Sequence, residues 1–258
     1  MTSSSHTRRS ITPKHPRKGR VTCTFIVANL VGCFVAKYPL FPLPETVVFP
    51  GMTLPLFIFE ERYKQMIKDC VDNDQRRLAI VLAKPQADIR DVTASTHVVG
   101  SFTDILSVSE NPDGTFYILL HGQERCRVGQ MDEHSHPYIS IDYRPYKLER
   151  GDPNVEQVTA WDALETFREY AKVFFAFDAI KQIEEALPEE LMYQASFICA
   201  NIRIPANERQ ILLEAPSLVD RFRYAQKLMR ERIESHEPAA DDGNDTFGED
   251  SDSASPLN

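Results

Sequence analysis

The reading of one stretch, Tyr38 to Tyr63, YPLFPLPETVVFPGMTLPLFIFEERY, decides the fold class. Prolines stand at 39, 42, 44, 50 and 55. Each removes a backbone donor and pushes the residue before it into extended geometry, so the stretch is strand and turn and never helix. Val47–Phe49 reads as a short strand, Pro50-Gly51 as a turn, and Leu54–Phe59 as a second strand. Leu54–Phe59 is apolar at both parities, which predicts that both of its faces are covered.

Downstream, Glu60, Glu61 and Arg62 introduce a short helix to about Asp72, with Tyr63, Met66, Ile67 and Cys70 at helical spacing. Leu78–Ala83 is an apolar run suited to a central strand. His97–Val108 and Thr115–Leu120 flank Asn111-Pro112-Asp113-Gly114, which reads as a hairpin. Glu124–Val128 and Tyr138–Tyr143 complete a meander of six or seven strands. Short connections favour antiparallel pairing, and closure into a barrel would remove the exposed edges.

After Arg150-Gly151-Asp152-Pro153 the apolar period changes from two to about three and a half. Val155, Val158, Trp161, Leu164, Phe167, Ala171 and Phe174 predict one apolar stripe of a long helix, and Trp161, Phe167, Phe174, Phe175 and Phe177 are expected to pack the core. A shorter helix follows through Ile180, Ile183 and Leu187. Pro188 suits the first turn of the next, which runs to about Ile202, and Pro205 opens another. Ser217 and Asp220 have capping-box spacing before Leu218, Phe222, Ala225, Met229 and Ile233. The second half is therefore four or five helices.

Four regions follow: an N-terminal extension over 1–37, a β subdomain over 38–150, a helical subdomain over 151–234 and an acidic tail over 235–258. The net charge of −9 hides an asymmetry, because residues 1–20 carry six bases and no acid while 235–258 carry seven acids and no base. The middle of the chain is thus itself acidic, which argues against a nucleic-acid partner. The tail has almost no apolar residues with which to offset the entropy of ordering. Near the other end, a basic run precedes VTCTFIVANLVGCFVA (21–36), the layout of a secretory signal, and Leu30-Val31-Gly32-Cys33 resembles a lipobox. The run is short for a span of the bilayer, and an extra strand or an upstream start are the other readings.

Cys23, Cys33, Cys70, Cys126 and Cys199 are widely spaced, without a CxxC pair, which is the pattern of reduced intracellular thiols. The expected compartment is the cytoplasm, with export as a lipoprotein anchored through Cys33 as the alternative. His134 and His136 beside Asp132 and Glu133 read as a polar turn rather than a metal site. No GxxxxGK[ST], GxGxxG, GxSxG or HExxH occurs, so no cofactor and no catalytic residue is assigned. Glu60-Glu61 and Glu184-Glu185 read as solvated faces.

Three stretches carry a resemblance: Tyr38–Tyr63, DGTFYILLHGQERCRV (113–128) and NIRIPANERQILLEAPSLVDRFRYAQKLM (201–229). In order, FPLP, FPG, PL-x-IFE-x-RY and the late LLEAP resemble the substrate-binding domain of Lon proteases, over about residues 38–232. The resemblance implies an α+β fold, a PUA-like antiparallel β-barrel followed by a helical bundle. It also implies a non-catalytic role in protein quality control, as a stand-alone bacterial version without the ATPase and peptidase parts. The implied partners are unfolded or exposed polypeptide segments and, in an adaptor role, a separate protease. A peptidase-associated subunit and an RNA-binding PUA-like protein are the alternatives. Phe57, Phe59, Phe116 and Tyr117 are the candidate contact residues, and Arg62 is either one of them or the partner of a nearby carboxylate.

Overall fold

The computed structural model describes residues 36–84 and 96–236. The expected extension and tail, with Cys23 and the Cys33 lipobox, lie outside the described residues but for their innermost few. The first half forms β1 (Lys37–Leu43), β2 (Thr53–Ile58), α1 (Glu61–Asp72), β3 (Arg77–Leu82), β4 (Val99–Glu110), β5 (Phe116–Asp132) and β6 (Ser140–Pro145). The second forms α2 (Pro153–Phe174), α3 (Phe177–Ala186), α4 (Leu191–Asn201), α5 (Ala206–Glu214) and α6 (Leu218–Glu234). The fold is α+β, with a six-stranded sheet and six helices among the described residues.

The sheet order is β2-β5-β4-β3-β1-β6, and β6 also pairs with β5. This second pairing closes a circuit of five strands, because β5 is long enough to serve two neighbours on one side. Its first half, from Phe116 to His121, lies against β2, and its second half, from Cys126 to Asp132, lies against β6. The two runs read in the sequence as separate strands, Thr115–Leu120 and Glu124–Val128, are one strand of 17 residues. The polar stretch between them marks where β5 exchanges one neighbour for the other, and a polar stretch in sequence looks like a turn.

Two further expectations change. Val47–Phe49 is buried but irregular, not strand. Its place in the sheet goes to Lys37–Leu43, and the Val48 carbonyl accepts from the Ser101 hydroxyl instead of from a ladder partner. Pairing is also not antiparallel throughout, since β1 runs parallel to β3, with Leu40 opposite Ala79 and Leu43 opposite Leu82. The crossover that this demands is supplied by β2 and α1, and α1 buries Tyr63, Met66, Ile67 and Cys70, the residues its spacing picks out.

The long helix α2 is where periodicity misleads most. Its start is well determined: Pro153 stands in the first turn, and the Asp152 carboxylate accepts from the Asn154 and Val155 N–H groups. Buried Glu156 takes a two-pronged contact from Arg150 and the N–H of Gly151 at 2.8 Å, which holds its carboxyl below the usual range. The buried face, however, consists of Thr159, Ala160, Ala163, Leu164, Thr166, Phe167, Tyr170 and Ala171. Val155, Val158 and Trp161 point to solvent, with Trp161 62% exposed. Phe174 and Phe175 are partly buried against the helical core, whereas Phe177 is exposed. Small alanines and threonines face α6 because close helix approach needs small side chains, and Gln226 of α6 donates to the Thr166 hydroxyl at 3.1 Å. Pro188 lies before α4 rather than in its first turn, and α4 begins at Leu191.

Sheet and helices share a core. Val47, Phe49, Leu82 and Val99 from the first half pack with Phe167, Tyr170, Ile198, Leu212, Leu213, Phe222 and Met229 from the second. Two arginines are buried at this junction. Arg125 of β5 donates through Nη1 to the carbonyls of Leu213 and Ala215, at 2.6 and 2.7 Å. Arg221 of α6 donates through Nε to Leu212 and through Nη2 to Leu213, at 3.1 and 3.2 Å.

Candidate binding surface

On the β2/β5 ladder, Thr53 lies opposite His121, Pro55 opposite Leu119 and Phe57 opposite Tyr117. Side chains of directly paired residues share a face, so these six form one outer stripe. The alternate pairs, Leu54–Leu120, Leu56–Ile118 and Ile58–Phe116, face the sheet's core. The outer stripe ends in an aromatic cluster: Phe57 and Tyr117 have ring centroids 4.9 Å apart, and Phe57 and Phe59 are 6.1 Å apart.

The four sequence candidates separate cleanly on this ladder. Phe57, Phe59 and Tyr117 are 47%, 62% and 57% exposed and meet at one place. Phe116 is only 4% exposed and belongs to the core, so it leaves the candidate set. The reason is parity: Phe116 and Tyr117 are neighbours in sequence and must point to opposite faces of a strand. The expectation that β2 is covered on both faces also fails, because Thr53, Pro55 and Phe57 on its outer face are exposed. β2 is an edge strand whose one partner among the described residues is β5, and Pro55 is tolerated there because an edge strand has one side with no ladder bond to lose.

At the other end of the stripe a groove of about 540 Å³ opens between the sheet and α4. Gly51, Met52, Thr53 and His121 line one wall, and Tyr193 and Phe197 line the other. Gly51 is the glycine of the FPG motif, with φ of +86°. A Cβ there would stand 2.8 Å from Cδ1 of Tyr193, so both the turn and the groove wall require glycine. The sequence reading missed Tyr193 and Phe197. Their helix looks like a buried one, and nothing in its pattern says that it stands beside the Pro50-Gly51 turn.

Groove and aromatic cluster are joined by β2 and Phe59 just after it, about 20 Å of chain at about 3.4 Å per residue. The surface is neutral at its centre. Arg62 pairs with Glu60 at 2.9 Å and stacks on Tyr63 at 4.5 Å. Elsewhere, His134 and His136 sit in an exposed polar turn, and no group of three His, Cys, Asp or Glu fit to hold a metal occurs among the described residues. Likewise, no described helix is long and apolar enough to cross a membrane. The stripe and groove thus offer van der Waals contact and backbone hydrogen bonding along an extended track.

A family model described as the ATP-dependent protease La (LON) substrate-binding domain matches residues 37–231. Lon protease of Escherichia coli strain K12 is 22% identical over 208 residues, covering 77% of this chain and 25% of that protein. Lon protease 1 of Myxococcus xanthus is 26% identical over 210 residues, covering 76% and 24%. The chain therefore spans about a quarter of the length of the curated relatives it matches. Among solved structures, the N-terminal domain of a Mycobacterium avium complex Lon protease superposes with a TM-score of 0.61 at 14% identity, covering 76% of this chain and 99% of that one. A Lon N-terminal domain protein from Xanthomonas campestris gives 0.51 at 17%, covering 76% and 98%. These two likenesses concern the fold.

Proposed function

This chain belongs to the ATP-dependent protease La (LON) substrate-binding domain family, and from that premise we propose that it recognises exposed apolar segments of unfolded polypeptides without altering them covalently. The observation that carries the reading is the joined track of Phe57, Phe59 and Tyr117 with the Tyr193–Phe197 groove. Clustered aromatics left in water cost free energy, and a contiguous apolar surface of this kind marks a contact site. Neutral surroundings suit promiscuous recognition, since no fixed charge selects one client over another. The bound segments are delivered to, or withheld from, a separate protease. The free, buried thiols of Cys70, Cys126 and Cys199 are consistent with work in a reducing compartment.

A photo-crosslinking residue placed at Phe59 tests this. It is expected to capture reduced, carboxymethylated lactalbumin and to spare the native, disulfide-bonded form, with the captured protein left intact. Equal capture of both forms, or cleavage of the captured chain by the purified protein, would overturn the reading.

A further inference from the structure

The outer edge of β2 is an unfinished sheet. The N–H of Gly122 donates to the carbonyl of Met52 at 2.8 Å. Counting along an antiparallel ladder in steps of two, Leu54, Leu56 and Ile58 also turn their backbone groups toward β5. Thr53, Pro55 and Phe57 then turn theirs the other way, where no described strand lies. The edge thus presents carbonyls from three residues and N–H groups from two, with a gap in the donor row at Pro55. The side chains tell the same story. Ile58 is buried, but Leu54 and Leu56, whose side chains face the same core, are only half-buried. A strand that is apolar at both parities has found cover for neither face in full.

We propose that the client completes this sheet: an extended polypeptide segment binds as an added strand on the free edge of β2, from Thr53 to Phe57, with its end in the Tyr193–Phe197 groove. This rests on the reading of the chain as a polypeptide-recognition module and adds how the segment is held and what its sequence must be. Client residues opposite Thr53, Pro55 and Phe57 lay their side chains beside the aromatic cluster. The intervening ones lie over Leu54 and Leu56. The preferred client is therefore apolar at both parities, the signature of a strand buried on both faces in a folded protein. Such segments are hidden in native proteins and available in unfolded ones. Main-chain bonds give affinity without demanding a particular side chain, which is the general economy of strand addition.

The test uses the chain unaltered and a peptide array spanning lactalbumin, from which the tightest short peptide, of roughly ten residues, is remade with single N-methyl groups along its backbone. Methylation is expected to weaken binding roughly tenfold or more at alternate positions and little at those between. In addition, Pro55→Ala restores the missing edge donor. It is expected to tighten binding roughly two- to tenfold, although it removes apolar surface. Binding that ignores the N-methyl register, or weakens in Pro55→Ala, overturns strand addition and leaves polypeptide recognition standing. An array on which nothing binds defeats both. So does a chain that sediments as a dimer crosslinked through Phe59 and takes no peptide, because a second copy would then own the edge.

Discussion

Arg125 and Arg221 converge on the carbonyl of Leu213, Arg125 from the longest strand at 2.6 Å and Arg221 from the last helix at 3.2 Å. With the carbonyls of Leu212 and Ala215, these bonds satisfy the end of α5, where a helix leaves its last carbonyls without partners and carries partial negative charge. The LLEAP motif, Leu212 to Pro216, is thus the acceptor half of a joint between sheet and helices. Neither guanidinium meets a carboxylate among the described residues.

Replacing Arg221 by methionine is expected to lower the unfolding free energy by about 2–4 kcal/mol, because the freed carbonyls stay buried. Lysine should rescue little of this, since a single ammonium cannot match two bonds made by a planar fork. Urea titration of the two variants checks both statements. A methionine variant as stable as the parent would mean that the carbonyls find other partners.

Alkaline pH should reveal the same interior. Burial pushes the thiols of Cys70, Cys126 and Cys199 up to about 12, from an ordinary value near 9. The folded chain then holds protons that the unfolded chain gives up, so each thiol removes stability as pH rises above 9, at up to about 1.4 kcal/mol per pH unit. Burial, and next the Arg221 charge, lower Arg125, and burial lowers Arg221, but a guanidinium keeps its proton across this range, so neither arginine opposes the thiols. The three thiols therefore set the slope. Unfolding free energy is expected to fall between about pH 9 and 10, and replacing Cys126 and Cys199 by alanine should flatten that slope whatever it does to stability at pH 7.

At the groove, Gly51→Ala is expected to cost about 1–3 kcal/mol, combining strain at positive φ with the encounter with Tyr193. Tyr193→Ala in the same chain should return only the steric part. The coupling read from a double-mutant cycle by thermal unfolding therefore separates turn strain from groove packing.

Much of the fold is legible in the sequence, and the failures share one cause. The proline-rich opening, α1 with its four buried residues, the hairpin at Asn111–Gly114 and the Ser217 cap all rest on local chemistry, and local chemistry is what a sequence displays. Edge and interior strands are not distinguished locally. LPLFIF reads as apolar at both parities whether the strand lies inside a sheet or at its edge, and only the pairing shows that β2 has a single neighbour, β5, among the described residues. The same holds for α2, where Val155, Val158 and Trp161 keep helical spacing but lie on the face turned from α6. Arg125 and Arg221 look like surface residues until the carbonyls they serve are placed beside them.

Trp161 gives an inexpensive check on that helix face. It is the one tryptophan of the chain and is 62% exposed, so its emission should resemble that of the free amino acid and be quenched efficiently by acrylamide. A blue-shifted, protected emission would restore the apolar stripe read from the sequence and contradict the packing of α2 through its alanines.

The candidate surface itself predicts a separation of stability from binding. Phe57→Ser and Tyr117→Ser remove half-exposed rings that pack on each other, so each should lower urea stability by no more than about 1 kcal/mol. Together they should weaken capture of unfolded lactalbumin roughly tenfold or more, because clustered aromatics carry a large share of contact energy. Phe116→Ala differs by a single position and should do the reverse. Emptying a buried ring site costs about 3–5 kcal/mol, yet the outer stripe keeps its rings, and under conditions where the variant remains folded its binding should be close to the parent's. The contrast rests on strand parity at adjacent residues. Loss of binding in Phe116→Ala with stability intact would place the contact surface on the inner face and remove the outer track from consideration.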